Sequence, residues 1–136
     1  EAGAVDILQP DISHCGGISE IRRIAALAET YDVAIAPHCP LGPIALAANV
    51  QVAATAANFV IQEMSLGIHY NDGNQDLTSY THNPEVWNVE GGYIKLMQGP
   101  GLGIEIDEEQ VRRLSEGAVP WISPTFMGPG GELREW

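Results

Sequence analysis

Three ionisable residues stand at the ends of three successive apolar runs of the sequence. Asp11, His38 and Glu63 follow these runs, and 27 and then 25 positions separate them. A carboxylate that accepts a hydrogen bond from one imidazole nitrogen fixes the tautomer of the ring and leaves the other nitrogen free as a general base. A second acid, kept protonated by burial, can hydrogen-bond the charge that develops when a proton leaves carbon. The same residue types also occur as helix caps and solvated loop residues.

The order of predicted elements explains how these three residues could meet. The predicted elements alternate as strand 5–9, helix 20–31, strand 33–36, helix 44–57 and strand 59–62. This alternation predicts a parallel α/β sheet, with Ser19 as the cap of the first helix. The carboxyl ends of parallel strands lie on one face, which is where α/β barrels and open sheets hold their active sites. We therefore expect the three ionisable residues to lie at one rim.

The character of the sequence changes after the third run. Residues 65–85 are polar and turn-rich, and we expect an irregular loop there. Val86–Val89 and Tyr93–Met97 are predicted strands, joined across two glycines. Asp107 and Gln110 have the spacing of a capping box, which predicts a short helix.

Composition restricts the class of protein. The chain has 136 residues, fewer than the roughly 250 that a complete (β/α)8 barrel typically needs. Its formal charge of −12 argues against nucleic-acid binding and against an anionic membrane surface. No apolar run approaches the roughly 20 residues of a membrane span. We expect no nucleic-acid or membrane partner, and a cytoplasmic location.

Several motifs carry a resemblance to a known family. They run from Gln9 to Glu20, from Ala36 to Ala45, from Ile61 to Glu63 and from Gly99 to Asp107. Together they resemble the C-terminal half of the D-galactonate dehydratases, in the mandelate racemase subgroup of the enolase superfamily. The resemblance implies an α/β fold, with residues 1–85 as about three βα units of a (β/α)8 TIM-like barrel. It implies that residues 86–136 form a return segment that packs on the barrel and the capping domain.

The same resemblance implies roles for the residues at the rim. His38 would be the base that removes the proton alpha to the carboxylate of an aldonic acid, and Asp11 its dyad partner. Glu63 would hydrogen-bond the enediolate intermediate. Loss of the β-hydroxyl would give a 2-keto-3-deoxy sugar acid. Enolase-superfamily enzymes use Mg²⁺, whose ligands would lie upstream of Glu1, and the full-length enzyme would be a homo-oligomer.

The same residues are compatible with other assignments. The chain could come from another acid-sugar dehydratase or a racemase of the superfamily, or it could be a catalytically incompetent, structural half-barrel. His14 is a candidate substrate-binding residue, although a loop histidine is more often solvated. Cys15 and Cys39 are interpreted as small packing residues. His69 and His82 are interpreted as surface or loop residues.

Overall fold

Parallel pairing organises the N-terminal half, as the strand-helix alternation predicts. The computed structural model describes residues 3–65, 77–117 and 125–134. Strand β1 (Ile7–Leu8) pairs in parallel with β2 (Ala34–Ile35). The third predicted strand joins the other side of β2 through a single parallel bridge between Ile35 and Phe59. The third run is therefore a neighbour in the sheet, although it makes one bridge where a longer strand was predicted.

Helix α1 (Ile18–Glu29) connects the first two strands. On its apolar face, Ala25 and Ala28 cluster with Ile35 of β2, while Ile21 belongs to a separate cluster with Ile12 and Val52. The prediction that Ser19 caps this helix is wrong. The turn before it uses Gly17 at a φ of 88°, a conformation that favours glycine, so the helix already begins at Ile18.

Helix α2 (Pro43–Ala53) returns the chain to the third strand position. Pro43 occupies its first turn, where a missing N–H costs nothing and the fixed φ suits the helix. The helix is buried on most of its circumference, which agrees with its alanine-rich, apolar sequence. Its buried residues are Pro43, Leu46, Ala47, Ala48, Asn49, Val50 and Val52.

The C-terminal half consists of short elements. The predicted strand at Val86–Val89 is wrong in its first part, because Pro84–Trp87 form a 3-10 helix that begins with a proline and buries Trp87. The strands that follow form a hairpin, β3 (Val89–Glu90) with β4 (Tyr93–Ile94). Another 3-10 helix, Leu77–Tyr80, precedes these elements in the chain. Helix α3 (Glu108–Ser115) follows them, and then the strands β5 (Phe126–Met127) and β6 (Leu133–Arg134).

Helix α3 begins as its capping motif predicts. The side chain of Asp107 accepts a hydrogen bond from the Gln110 N–H at 2.9 Å. This bond satisfies one of the donors left open at a helix N-terminus. Acidic residues in the first turn and arginines in the last complement the helix dipole.

One hydrophobic cluster joins the two halves of the chain. Cys39 and Leu46 pack with Trp87 and Met97 in this buried cluster. The Gln51 amide adds a polar link, since its Nε2 donates to the carbonyl oxygens of Met97 at 3.1 Å and Leu102 at 3.2 Å. Trp87, Met97 and Leu102 therefore contact the βα layer, and the boundary between residues 85 and 86 remains a prediction.

The sheet ends with apolar side chains facing outward. Ile7 on β1 is 51% exposed and Ile61 beyond the bridge is 65% exposed. Apolar side chains of this size are normally covered in a closed α/β barrel. Within the part of the chain that the structure describes, no helix has the length and apolar character needed to cross a membrane.

Candidate active site

The Asp11–His38 pair lies where β1 and β2 end. The parallel pairing of the strands continues as a bridge between Asp11 and His38, supported by the His38 N–H donating to the Pro10 carbonyl at 3.2 Å. This register places the two side chains on neighbouring strand ends. His38 Nδ1 lies 2.8 Å from Asp11 Oδ2, a hydrogen-bond distance. Asp11 and His38, which follow successive predicted strands, therefore lie next to each other as their spacing predicts.

The Asp11 carboxylate is held in its ionised form. Burial alone would raise the pKa of Asp11, but the hydrogen bonds from His38 and from the Ser13 N–H, with the charges of His14 and His38, lower that pKa overall. The Ser13 N–H donates to Asp11 Oδ1 at 2.7 Å. An ionised carboxylate only accepts hydrogen bonds, so His38 Nδ1 is the donor. In the neutral ring, Nε2 is then the nitrogen with the free lone pair.

Glu63 stands across a gap from that nitrogen. Its Oε2 lies 3.9 Å from His38 Nε2, which is too far for a direct hydrogen bond. The Cys39 N–H donates to the same Oε2 at 2.9 Å. The His38 and Glu63 side chains are 46% and 44% exposed, so a small molecule can reach both of them. The three predicted site residues thus form one constellation, in the order carboxylate, imidazole, carboxylate.

Sequence reasoning missed two groups that hold this constellation. One is the main-chain N–H of Cys39, which any residue at this position except proline would carry. The other is the side chain of Gln62, which bonds the carbonyl oxygens of Pro37 and Glu63. A polar residue inside an apolar run, directly before a candidate site residue, is the signal that could have identified Gln62.

Of the other three histidines, only His14 lies close to the Asp11–His38 pair among the described residues. His14 is exposed in the turn after Asp11, close enough that its charge lowers the pKa of Asp11. His82 lies elsewhere in the chain, 60% exposed, with Nδ1 at 3.9 Å from Asp107 Oδ2 ahead of α3. His69 lies outside the described residues. Substrate binding by His14 stays a prediction.

The cysteines behave as packing residues. Cys39 is 1% exposed and belongs to the buried cluster, while Cys15 is only half-buried. Burial raises the pKa of the Cys39 thiol, and the negative charges of Asp11 and Glu63 raise it further. A thiol with a raised pKa carries little of the reactive thiolate at neutral pH. Cys39 is therefore a poor nucleophile in the folded protein.

This assignment predicts selective alkylation. In the folded protein at pH 8, iodoacetamide is expected to modify Cys39 roughly tenfold or more slowly than Cys15, because Cys39 is both buried and protonated. Mass spectrometry of peptides after timed labelling measures the two rates, and labelling in denaturant provides the control in which both thiols react. Equal rates in the folded protein would contradict the packing role.

A divalent cation does not fit the described residues of this site. Among residues 3–65, 77–117 and 125–134, no group of three His, Cys, Asp or Glu side chains could hold a metal ion. Three of the four carboxylate oxygens of the constellation accept hydrogen bonds, both of Asp11 from His38 and Ser13 and Oε2 of Glu63 from Cys39. The constellation is therefore arranged for proton transfer and hydrogen bonding.

Comparison with known sequences reveals close relatives. The family model for enolase C-terminal domain-like proteins matches residues 1–110. A D-galactonate dehydratase of Cronobacter sakazakii is 52% identical over all 136 residues, and one of Variovorax paradoxus is 49% identical. In both cases the match covers 100% of this chain and 35% of the relative. The chain spans about a third of the length of these curated relatives.

Solved structures of related proteins also match this chain over part of their length. An enolase from Agrobacterium radiobacter, bound to sodium and L-malate, matches with a TM-score of 0.75 and 39% identity, over 94% of this chain and 34% of that one. A mandelate racemase/muconate lactonizing enzyme from Labrenzia alexandrii matches with a TM-score of 0.69 and 35% identity. That match covers 82% of this chain and 27% of the Labrenzia chain. The described fold is thus part of a larger barrel architecture in these proteins.

Proposed function

This chain belongs to the enolase C-terminal domain-like family, and we propose on that premise that it supplies the base side of a D-galactonate dehydratase site. The observation that carries the proposal is the 2.8 Å contact between His38 Nδ1 and Asp11 Oδ2, with Nε2 turned toward Glu63. The 52% identity to the Cronobacter sakazakii enzyme supports galactonate as the substrate. The reaction is a hydro-lyase reaction on a small acid sugar.

In the proposed reaction, His38 Nε2 takes the proton from the carbon alpha to the substrate carboxylate. Asp11 stays ionised, orients the ring through Nδ1 and stabilises the imidazolium that forms. Glu63 hydrogen-bonds the enediolate through Oε1, because the Cys39 N–H already occupies Oε2.

The second half of the reaction breaks the bond between the β-carbon and its hydroxyl. The electron pair of the enediolate forms the new carbon–carbon double bond, and the hydroxyl leaves as water with a proton from an acid. We assign that acid to a histidine in the part of the relatives that this chain does not span. The enol product then tautomerises to a 2-keto-3-deoxy sugar acid.

The site needs more than the described residues. A proton alpha to a carboxylate is only weakly acidic, and imidazole by itself cannot remove it at a useful rate. A magnesium ion, when bound, would neutralise charge on the substrate carboxylate, and we expect its ligands among barrel strands beyond this chain. The open, apolar strand edges at Ile7 and Ile61 are consistent with further strands that complete the sheet.

Three broader features are part of the proposal. We propose residues 1–85 as the barrel portion and residues 86–136 as the segment that returns to a capping domain. The complete enzyme is proposed to be a homo-oligomer. It is proposed to work in the cytoplasm, which agrees with two free cysteines among the described residues.

A joined protein tests the function directly. In it, this 136-residue chain replaces the segment of the Cronobacter sakazakii dehydratase that it matches. We expect the joined protein to convert D-galactonate to the keto-deoxy acid in the presence of Mg²⁺, and the separate chain to form none. Product is measured as a semicarbazone or by NMR, with gluconate and galactarate as competing substrates.

Two results would contradict the proposal. One is a folded joined protein that leaves D-galactonate unchanged or prefers another acid sugar. The other is turnover of D-galactonate by the separate chain, which would mean that the described residues suffice for the chemistry. Circular dichroism of the joined protein establishes that it is folded before either conclusion is drawn.

A further inference from the structure

The main-chain pairing between β2 and the third strand stops just before the site. The Ile35 N–H donates to the Asn58 carbonyl at 2.9 Å, and the Val60 N–H donates to the Ile35 carbonyl at 3.0 Å. The next donor along β2 would be residue 37, which is a proline and has no N–H. Among the described residues, no further main-chain hydrogen bond joins the two strands beyond Val60. His38 and Glu63 therefore lie beyond the end of the ladder between β2 and the third strand, while His38 keeps its bridge to Asp11 on the other side.

Beyond this point the side chain of Gln62, and not its main chain, hydrogen-bonds across the two strands. Its Nε2 donates to the Pro37 carbonyl at 3.0 Å, across the gap between the strands. The same nitrogen donates to the Glu63 carbonyl at 2.7 Å. The first bond is on the peptide that precedes His38, and the second is on the peptide that follows Glu63. One amide thus holds the main chain at both site residues.

A second hydrogen bond joins the two strands, on the C-terminal side of His38. The Cys39 N–H donates to Glu63 Oε2 at 2.9 Å, and the Cys39 side chain is locked in the buried cluster. His38 therefore lies between two points of attachment, the Pro37 carbonyl and the Cys39 N–H, both of which connect to the strand that carries Glu63. Gln62 Oε1 is buried and has no hydrogen-bond partner among the described residues. Its burial keeps that end of the amide away from any substrate.

We propose that Gln62 is a positioning residue that sets the gap between His38 Nε2 and Glu63 Oε2. It acts through the main chain and does not touch the substrate. His38 Nε2 and Glu63 Oε2, 3.9 Å apart, must both reach the same substrate, so their separation bears on both proton removal and enediolate stabilisation. A displacement of about 1 Å in such a site can cost about 100-fold in rate. This role rests on the proposed dehydratase function.

The chain provides a matched control. Gln51 also donates from Nε2 to two main-chain carbonyl oxygens, those of Met97 and Leu102. Its bonds link α2 to the C-terminal half and do not involve His38 or Glu63. Gln62→Met and Gln51→Met remove the same number of hydrogen bonds and leave side chains of similar size. Their comparison therefore separates positioning from general stabilisation.

The test measures both variants in the joined protein. We expect similar decreases in Tm, because each variant loses two bonds to main-chain carbonyls. Only Gln62→Met is expected to lower kcat, by about 10- to 100-fold, with KM changed less than about threefold. Gln62→Leu serves as a second variant if Gln62→Met does not fold. Equal kcat values for the Gln62 and Gln51 variants would overturn the positioning role.

A structural measurement separates this inference from the proposed function. Crystal structures of the unmodified joined protein and of both variants give the distance between His38 Nε2 and Glu63 Oε2. We expect this distance to change in Gln62→Met and to stay the same in Gln51→Met. An unchanged distance in Gln62→Met would overturn the inference even if the joined protein is active. An inactive joined protein in which the distance does change would contradict the dehydratase function alone.

Discussion

Replacing His38 by asparagine in the joined protein is expected to lower kcat by at least about 10⁴-fold, the upper end of what a general base contributes. Asparagine can occupy the space beside Asp11 but cannot accept a proton from carbon. The lone pair on Nε2, which the 2.8 Å contact between Nδ1 and Asp11 directs toward Glu63, would be gone. The measurement is formation of the keto-deoxy acid, together with exchange of the alpha proton of D-galactonate in deuterated water. Binding of Mg²⁺ should be nearly unaffected.

His82 offers the control for this substitution. It is also an exposed histidine whose Nδ1 faces an aspartate, at 3.9 Å from Asp107 Oδ2. It lies ahead of α3 and not at the strand ends, so His82→Asn should leave kcat within about twofold. Exchange of the alpha proton that persists in His38→Asn would contradict the assignment of the base.

Replacing Asp11 by asparagine is expected to lower kcat by about 10³-fold. The corresponding substitution in a Ser-His-Asp triad costs about 10⁴ in kcat, because the amide selects the wrong tautomer of the histidine. Here the asparagine NH₂ would donate to His38 Nδ1, which would move the ring proton to Nε2. The base would then be blocked while the ring keeps its place. The measurement is kcat together with a crystal structure that verifies the ring position.

The same substitution has a consequence for stability that depends on pH. Because the pKa of Asp11 is lowered in the folded protein, the ionised carboxylate stabilises the fold above the ordinary aspartate pKa of about 3.9. That contribution is lost as the pH falls through the lowered pKa. The unfolding free energy of Asp11→Asn should therefore be lower than that of the unmodified protein at pH 7, and the difference should shrink toward pH 3.

Asp107→Asn is the matched control for Asp11. Asparagine also caps helices well, so the bond to the Gln110 N–H and the start of α3 should be preserved. Both kcat and stability are expected to change little. A kcat for Asp11→Asn within threefold of the unmodified value would contradict the dyad. Denaturant unfolding at the two pH values checks the stability part independently of activity.

Much of the fold follows from local sequence. The alternation of apolar runs and helical segments predicts the parallel pairing of β1 with β2, and the bridge between Ile35 and Phe59 confirms the third neighbour. The capping motif at Asp107 is confirmed by its bond to Gln110. These predictions succeed because hydrophobic periodicity and capping are local properties. The family assignment is confirmed as well, while the catalytic roles of Asp11, His38 and Glu63 stay predictions.

The errors have a common cause. Ser19 has the right chemistry for a cap, but the glycine turn before it already starts α1 at Ile18. Val86 and Trp87 have strand propensity, but Pro84 begins a 3-10 helix that delivers Trp87 to the cluster with Cys39 and Leu46. In each case a neighbouring glycine or proline decided between two acceptable conformations. Propensity alone could not distinguish them.

Residue types and spacing are enough to identify which side chains could do chemistry and to predict that strand ends would bring them together. Asp11, His38 and Glu63 are recognisable because their side chains are chemically distinctive and their spacing equals one βα unit. The hydrogen bonds that hold the site, from the Cys39 N–H to Glu63 and from the Gln62 amide to the Pro37 carbonyl, become visible in the folded chain. Main-chain donors and acceptors are the same in nearly every residue, so which of them a given group will meet appears only when strands are placed side by side.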